Sequence, residues 1–369
     1  MALRFGTYTE IQCPPGGDHA KLIHDALEVG VAADRLGYGV YCCVEHPWFE
    51  QFSISTAPLA LFATLAQRTR DIRFRALCHT LPLHNPFVLA GELALADILL
   101  DGRFDVGIGR GHAWLQDPAN IALEESIERF PECVDILLAA WTNERFSYDG
   151  KHYKAHDLAV VPRPLQKPHP PIWQVGTSAK WVPRAVENGW GIALGGPAPN
   201  VAFEEAIAQY HAACEAAGKP SNFAYIKAVN LDEDHDRAVE EGRVPLKGFI
   251  DFNVSPMDSL DRSPEGRQRL IDAGYGFYAA DDFPNTRNLS YEQLLDHEIV
   301  YAGSPERVAQ QLIDLWDRFR FDEFCLICHY GGVGLEQSLK TQELFATKVR
   351  PLMEQAAEKA SRKSSVAAR

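Results

Sequence analysis

Residues 86–108 read PFVLAGELALADILLDGRFDVGI, and three signals in that stretch decide the architecture. Pro86 stands where a helix can begin without losing a backbone donor, and apolar residues continue at helical spacing to Leu100. Asp101-Gly102-Arg103 then breaks the pattern with turn residues, and Phe104 to Ile108 is a short apolar run of buried-strand type. The unit is a helix, a tight turn and a strand. It recurs in both directions. Upstream, strands Leu3–Tyr8, Val40–Val44 and Ile72–Cys78 alternate with a helix capped by Asp18 and running to about Gly37, and with helix Pro58–Thr69. Downstream come a helix around Glu124–Trp141, a hairpin over Arg145–Tyr153 turning at Asp149-Gly150, and a proline-rich extended stretch from Pro162 to Pro171. Strand Ile172–Val175, helix Ala179–Asn188, strand Gly191–Leu194, helix Val201–Ala217 and strand Phe223–Leu231 follow, and strand Glu323–Cys328 with helix Leu335–Ala357 completes the series.

About eight β-then-α units with apolar, non-alternating strands predict an α/β fold, a (β/α)8 TIM barrel rather than an open sheet. Such a barrel needs about 250 residues. Of the 369 present, the surplus falls mainly between Asp232 and Tyr301, an insertion between strands 7 and 8 beside the top of the barrel. Two readings stand for it: a cover over an active site, or a surface or dimer-contact excursion. Residues 1–357 form one domain on this reading, and 358–369, rich in Ala, Lys and Ser, a flexible tail.

Composition narrows the function. With 36 basic against 50 acidic residues the formal charge is −14, which argues against nucleic-acid binding. No run of about 18 apolar residues suggests a membrane span, and Met1 to Arg4 lead straight into strand-like sequence, so a cytoplasmic chain is expected. The eight cysteines are scattered among apolar neighbours, as reduced core thiols would be. Even Cys325-x-x-Cys328 sits in a strand with no helix at the redox-motif position. No metal-ligand spacing is evident, and P-loop, Rossmann and G-x-S-x-G signatures are absent.

In a barrel of this kind chemistry sits at the carboxyl ends of the strands. Those ends are polar here: Glu45 and His46 after strand two, His79 and Thr80 after strand three, Arg110 and His112 after strand four, Gly176-Thr177-Ser178 after strand five, His329 and Tyr330 after strand eight. Gly195-Gly196 and Gly331-Gly332 leave backbone room for a bulky planar ligand. Gly176, Thr177, Ser178 and Ala179 open a helix, where free N–H groups and the helix dipole suit an anion, and Arg110 leaves the neighbouring strand. The same Thr-Ser pair also reads as a plain N-cap. Glu45-His46 is the candidate acid–base pair, with a structural histidine as the alternative.

Four stretches, Val44-Glu45-His46-Pro47-Trp48-Phe49, Leu81-Pro82-Leu83-His84-Asn85-Pro86, Asp101 to Gly111, and Pro168-His169-Pro170-Pro171-Ile172-Trp173 with Gly176-Thr177-Ser178, occur in an order that resembles the bacterial luciferase-like flavin monooxygenases. The resemblance implies that Arg110, Thr177, Ser178 and the amides after them hold the phosphate of FMN. It implies that Leu77-Cys78 forms the bulge under the flavin ring, often with a non-proline cis peptide, and that His46, with Glu45, is the active-site histidine. It further implies reduced FMN as cosubstrate from a separate flavin reductase, O2 and a small organic substrate, and a homodimer. Pro47 and Trp181 depart from the luciferases proper, the latter where they place a hydroxyl. A deazaflavin-dependent hydride transfer, or a non-catalytic flavin-binding partner subunit, are the alternative functions.

Overall fold

The structure, a computed structural model, describes residues 3–176, 181–280 and 285–367. Eight parallel strands close a barrel: β1 (Arg4–Thr9), β2 (Val40–Cys43), β3 (Arg73–Ala76), β4 (Phe104–Gly109), β5 (Ile172–Val175), β6 (Gly191–Gly195), β7 (Phe223–Leu231) and β8 (Glu323–His329). Closure shows in the register: Gly6 of β1 lies opposite both Val40 and Cys325, and Ile226 of β7 opposite both Gly195 and Cys325. The expected (β/α)8 barrel is therefore the observed one.

Local sequence explains the elements. Helix α1 (His19–Arg35) begins where the Asp18 carboxylate accepts the Lys21 N–H, while α2 (Pro58–Ala66) and α3 (Pro86–Leu99) begin on a proline, and Asn85 caps α3 by accepting from Phe87 and Val88. Helices α4 (Leu123–Thr142), α5 (Val182–Asn188) and α6 (Glu204–Ala216) continue the outer ring. Inside the barrel's lower end, the guanidinium of Arg75 bridges Asp105 (2.9 Å) and Glu323 (2.6 Å) and lies 3.5 Å from the centre of the Trp173 ring. All eight cysteines are free thiols; Cys325 and Cys328 are buried in β8.

The insertion follows β7. It contains α7 (His235–Val254), α8 (Pro264–Asp272), short turns, and a strand Val300–Gly303 that pairs with the end of β7 outside the closed ring. The barrel helix owed to β7, Pro305–Phe319, comes only afterwards. The expected helix Leu335–Ala357 is broken by a π-turn at Phe345–Val349, and its second half, Arg350–Ala367, carries the chain through most of the stretch read as a tail.

Among the glycines, the least room for a side chain is found where β4 passes β3. A Cβ on Gly107 would lie 1.7 Å from the Ala76 carbonyl oxygen, and one on Gly109 would lie 2.2 Å from the Cys78 sulfur. Only glycine lets β4 run that close past the end of β3. Gly107→Ala is expected to cost about 1–3 kcal/mol in urea denaturation, as overpacking does. Gly39→Ala, where a Cβ meets only the Phe5 carbonyl oxygen at 3.6 Å, is expected to stay within about 0.5 kcal/mol of the parent.

Candidate active site

The floor of the barrel mouth is the segment that β4's glycines accommodate. After β3 the chain turns through a cis peptide between Leu77 and Cys78 and rejoins β4 at His79 and Thr80. Burial pushes the Cys78 thiol up to about 12, so it stays protonated. The carboxylate of Glu45 braces this bulge: Oε2 accepts the Thr80 N–H at 2.8 Å, and both oxygens meet Nε2 of His84 at 2.9 and 3.0 Å. Burial alone would raise the Glu45 carboxyl, but the His84 hydrogen bond and the facing imidazoles hold it below the usual range. His84 shifts upward: burial opposes its charge, and the Glu45 partnership outweighs burial.

His46 is turned the other way. It is fully buried, stacks on Phe52 at 3.9 Å, and its Nε2 accepts the indole N–H of Trp114 at 2.8 Å. Because indole only donates, the ring proton belongs on Nδ1, which has no partner. Burial, with His112 nearby, holds His46 well below its ordinary pKa. Glu45 and His46, adjacent in sequence, thus serve different neighbours, and His46 lines neither cavity at the mouth.

The imidazole that does reach the mouth is His112. It stacks on Trp114 (4.3 Å, 7° between planes), meets the Tyr278 hydroxyl through Nδ1 at 2.6 Å, and burial lowers its pKa to about 4. Tyr278 comes from the insertion, as does Tyr275, whose ring lies 3.8 Å under the Arg110 guanidinium. Arg110 also donates to the Ala273 (2.6 Å) and Gly274 (3.3 Å) carbonyls. The insertion therefore covers the mouth rather than leaving it.

Two connected cavities result. A cleft of about 340 Å3 runs from Leu77, Cys78 and Thr80 past Arg110 and Gly111 to Gly176 and Trp181. Behind it a pocket of about 240 Å3, walled mostly by apolar and aromatic side chains, shares Leu77, His112, Val175, Gly176 and Tyr278 with the cleft. Gly176, at φ +113°, has open space where a Cβ would stand. Thr177, Ser178 and Ala179 lie outside the described residues; Trp181, just beyond them, packs edge-on against Phe130.

The model of the family described as luciferase-like monooxygenase matches residues 3–323. The chain belongs to that family. Within it, similarity extends to the oxygenase component of the flavin-dependent trigonelline monooxygenase of Acinetobacter baylyi, 27% identical over 52% of this chain and 53% of that one. It extends equally to an F420-dependent glucose-6-phosphate dehydrogenase of Microbacterium testaceum, 26% identical over 64% and 74%. Among solved structures, the oxygenating constituent of 3,6-diketocamphane monooxygenase from Pseudomonas putida superposes with a TM-score of 0.75 at 22% identity, covering 95% of this chain and 98% of that one. This member of the luciferase-like monooxygenases is an enzyme, an oxidoreductase.

The glycines at the strand ends divide. Gly196 lines the pocket, but a Cβ on Gly331 would strike the Pro245 carbonyl of α7 at 2.0 Å. Gly331 thus admits the insertion, and Gly332 lies against Pro14, where a Cβ would come within 2.9 Å of its ring, so the pair does not serve a ligand. Cys13, His19 and Glu50 bring three potential ligand atoms within 4.8 Å, a grouping invisible in the sequence spacing, and are already hydrogen-bonded among themselves.

Replacing His84 by Ala leaves the buried Glu45 carboxylate short of a partner and should cost about 2–3 kcal/mol near pH 6. A raised folded-state pKa makes the His84 contribution complete below its unfolded pKa and lost as pH rises through the folded one. The gap between parent and variant in urea denaturation should therefore narrow, without vanishing, by about pH 9.

Proposed function

We propose that this chain is the oxygenase component of a two-component system, a cytoplasmic homodimer that takes reduced FMN from a separate flavin reductase, with O2, and oxygenates a small organic substrate. One observation carries the reading. The cleft that holds Arg110 and the apolar pocket share walls, so a planar ligand anchored beside Arg110 would present its far end to whatever fills the pocket.

The residues present fit FMN. Val44, Leu77, Cys78 and Val175 make an apolar floor, Gly111 and Gly176 bring bare backbone to the cleft, and the Arg110 guanidinium keeps N–H groups beyond the two given to Ala273 and Gly274. When bound, the reduced flavin supplies the electrons for O2 that no side chain here can give. The chain's own tasks are positional. Arg110 would hold the phosphate, with Gly176, Thr177, Ser178 and Ala179 taken as the rest of the cradle, and Leu77 and Cys78 would support the ring. Tyr275 and Tyr278 exclude water. His46 fixes the indole of Trp114, and Glu45 fixes the bulge, so both act as positioning residues. The kinship with F420-dependent enzymes keeps the same clamp compatible with a deazaflavin. For the dimer, α3 exposes Val88, Leu95 and Leu99 at helical spacing.

Arg110→Met should weaken FMN by about 10- to 100-fold in an anaerobic titration, the scale of a lost charge-assisted contact; unchanged affinity would remove the phosphate role. Parallel titration with reduced F420 decides the cofactor: tighter F420 binding without oxygen consumption would replace oxygenation by hydride transfer. His46→Phe, which cannot accept the Trp114 N–H, should lower product formed per O2 consumed several-fold while FMN affinity holds.

A further inference from the structure

The pocket behind the cleft contains one acid that nothing above employs. Glu10 follows β1 and is 5% exposed at the pocket wall. Its Oε1 accepts the Tyr8 hydroxyl at 3.3 Å; its Oε2 accepts Asn253 Nδ2 at 2.8 Å and Gln12 Nε2 at 3.2 Å. The Gln12 amide cannot turn around, because its oxygen takes the Gly331 N–H at 2.8 Å while Nε2 also reaches the Phe249 carbonyl. A carboxylate offers about four lone-pair sites. Three are filled by neutral donors, and the remaining one is on Oε1. Among the described residues Glu10 makes no ion pair.

We propose that this pocket takes a small organic cation, with the carboxylate of Glu10 as its counter-charge. The proposal names a substrate class for the site described above and rests on that reading of it. A buried carboxyl without a cation is costly to keep ionised, and a cationic guest removes that cost while satisfying the last acceptor site. The other walls suit the same guest: Tyr8, Phe52, Trp114, Phe203 and Tyr278 offer aromatic surfaces, on which a cation is attracted by the ring quadrupole. The chain's net charge of −14 favours its approach.

The protonation states around the pocket make this testable. Burial, offset only in part by Asn253 and Tyr8, raises the Glu10 carboxyl to about 7. Burial holds the Tyr8 hydroxyl well above its ordinary range, and pushes the Cys43 and Cys78 thiols up to about 12. Burial keeps His46 and His112 neutral and Tyr278 protonated, and Glu45 stays ionised against His84. Of the titratable side chains that line the pocket, Glu10 is the one that changes charge between pH 6 and pH 8.5; Lys227, which donates to the Ala198 carbonyl behind the pocket wall and which burial lowers to about 7, titrates in the same range, and Glu10→Gln separates the two. A guest cation should bind the ionised form and so release a proton near neutral pH. A neutral carbonyl compound would instead take a hydrogen bond from the protonated acid and bind better at low pH.

The experiment is calorimetric titration of the flavin-free full chain with benzyltrimethylammonium, which stays cationic at every pH, and with phenylacetone as the neutral carbonyl probe. The cation is expected to bind about tenfold more tightly at pH 8.5 than at pH 6, with proton release at pH 7 visible as a dependence on buffer ionisation heat. Glu10→Gln should abolish both effects and leave FMN affinity unchanged. Cation binding that ignores pH in the parent chain, or phenylacetone binding more tightly and strengthening toward low pH, overturns the proposal without recourse to any variant. FMN titration of the same samples separates the two readings: loss of flavin binding with the cation behaviour intact sinks the cofactor assignment alone.

Discussion

The mouth of this barrel depends on how closely β4 passes the end of β3. With side chains at 107 or 109 the Ala76 carbonyl and the Cys78 sulfur would be displaced, and with them the bulge that forms the cleft floor. The run Gly107-Ile108-Gly109-Arg110-Gly111 has two tasks in one register. Its glycines admit the bulge, and Gly111, whose Cβ would meet Thr80 at 2.3 Å, extends the same accommodation to the bridge that Glu45 braces. Arg110 can then leave the strand end directly beside the floor. The spacing is a packing requirement first, and it places a cation at the cleft as a result.

The insertion completes what the strands begin. Gly331 lets α7 approach β8, and α7 in turn delivers Asn253 to Glu10 and carries the chain toward Tyr275 and Tyr278. Arg110 anchors the far side of this cover through the Ala273 and Gly274 carbonyls. The guanidinium is therefore shared between the cover and the cleft. An anion arriving at Arg110 would meet a group already oriented by backbone acceptors and a tyrosine face, so little side-chain freedom is left to lose on binding.

The barrel was legible because each strand carries its own signal: a short apolar run, a preceding turn, and a proline or capping residue at the next helix. Strands Ile172–Val175 and Phe223–Leu231 were read to the residue for that reason. The insertion was legible as surplus length but not as structure. Its longest helix, α7, carries Pro245 in its interior and begins in the charged run after β7, so periodicity marked no helix there and the choice between a cover and a surface or dimer-contact excursion stayed open. At the site, Arg110 could be placed from its strand end. The partnerships of Glu45 and His46 could not, because residues adjacent in a chain leaving a strand point to opposite sides. Glu10 gave no sequence signal at all: an acid after a strand is ordinary, and its character comes from its near neighbours Tyr8 and Gln12 together with Asn253, which α7 brings from the insertion.

That closure has a consistent electrostatic sense. At the lower end of the barrel, Asp105 is paired with Arg73 and Arg75 and Glu323 with Arg75 and Arg4, so charge is paired away from the mouth. At the mouth the buried imidazoles of His46 and His112 are held neutral, the thiol of Cys78 is held protonated, and Glu45 is matched by His84. Among the side chains that line the two cavities, Arg110 in the cleft and Glu10 in the pocket, of opposite sign, make no ion pair among the described residues. A buried field of this form favours a ligand that brings negative charge to one end and a second molecule that brings positive charge to the other. It also keeps the two apart, since each is repelled from the other's seat, and so assigns the order of the site from electrostatics before any contact with a particular substrate is considered.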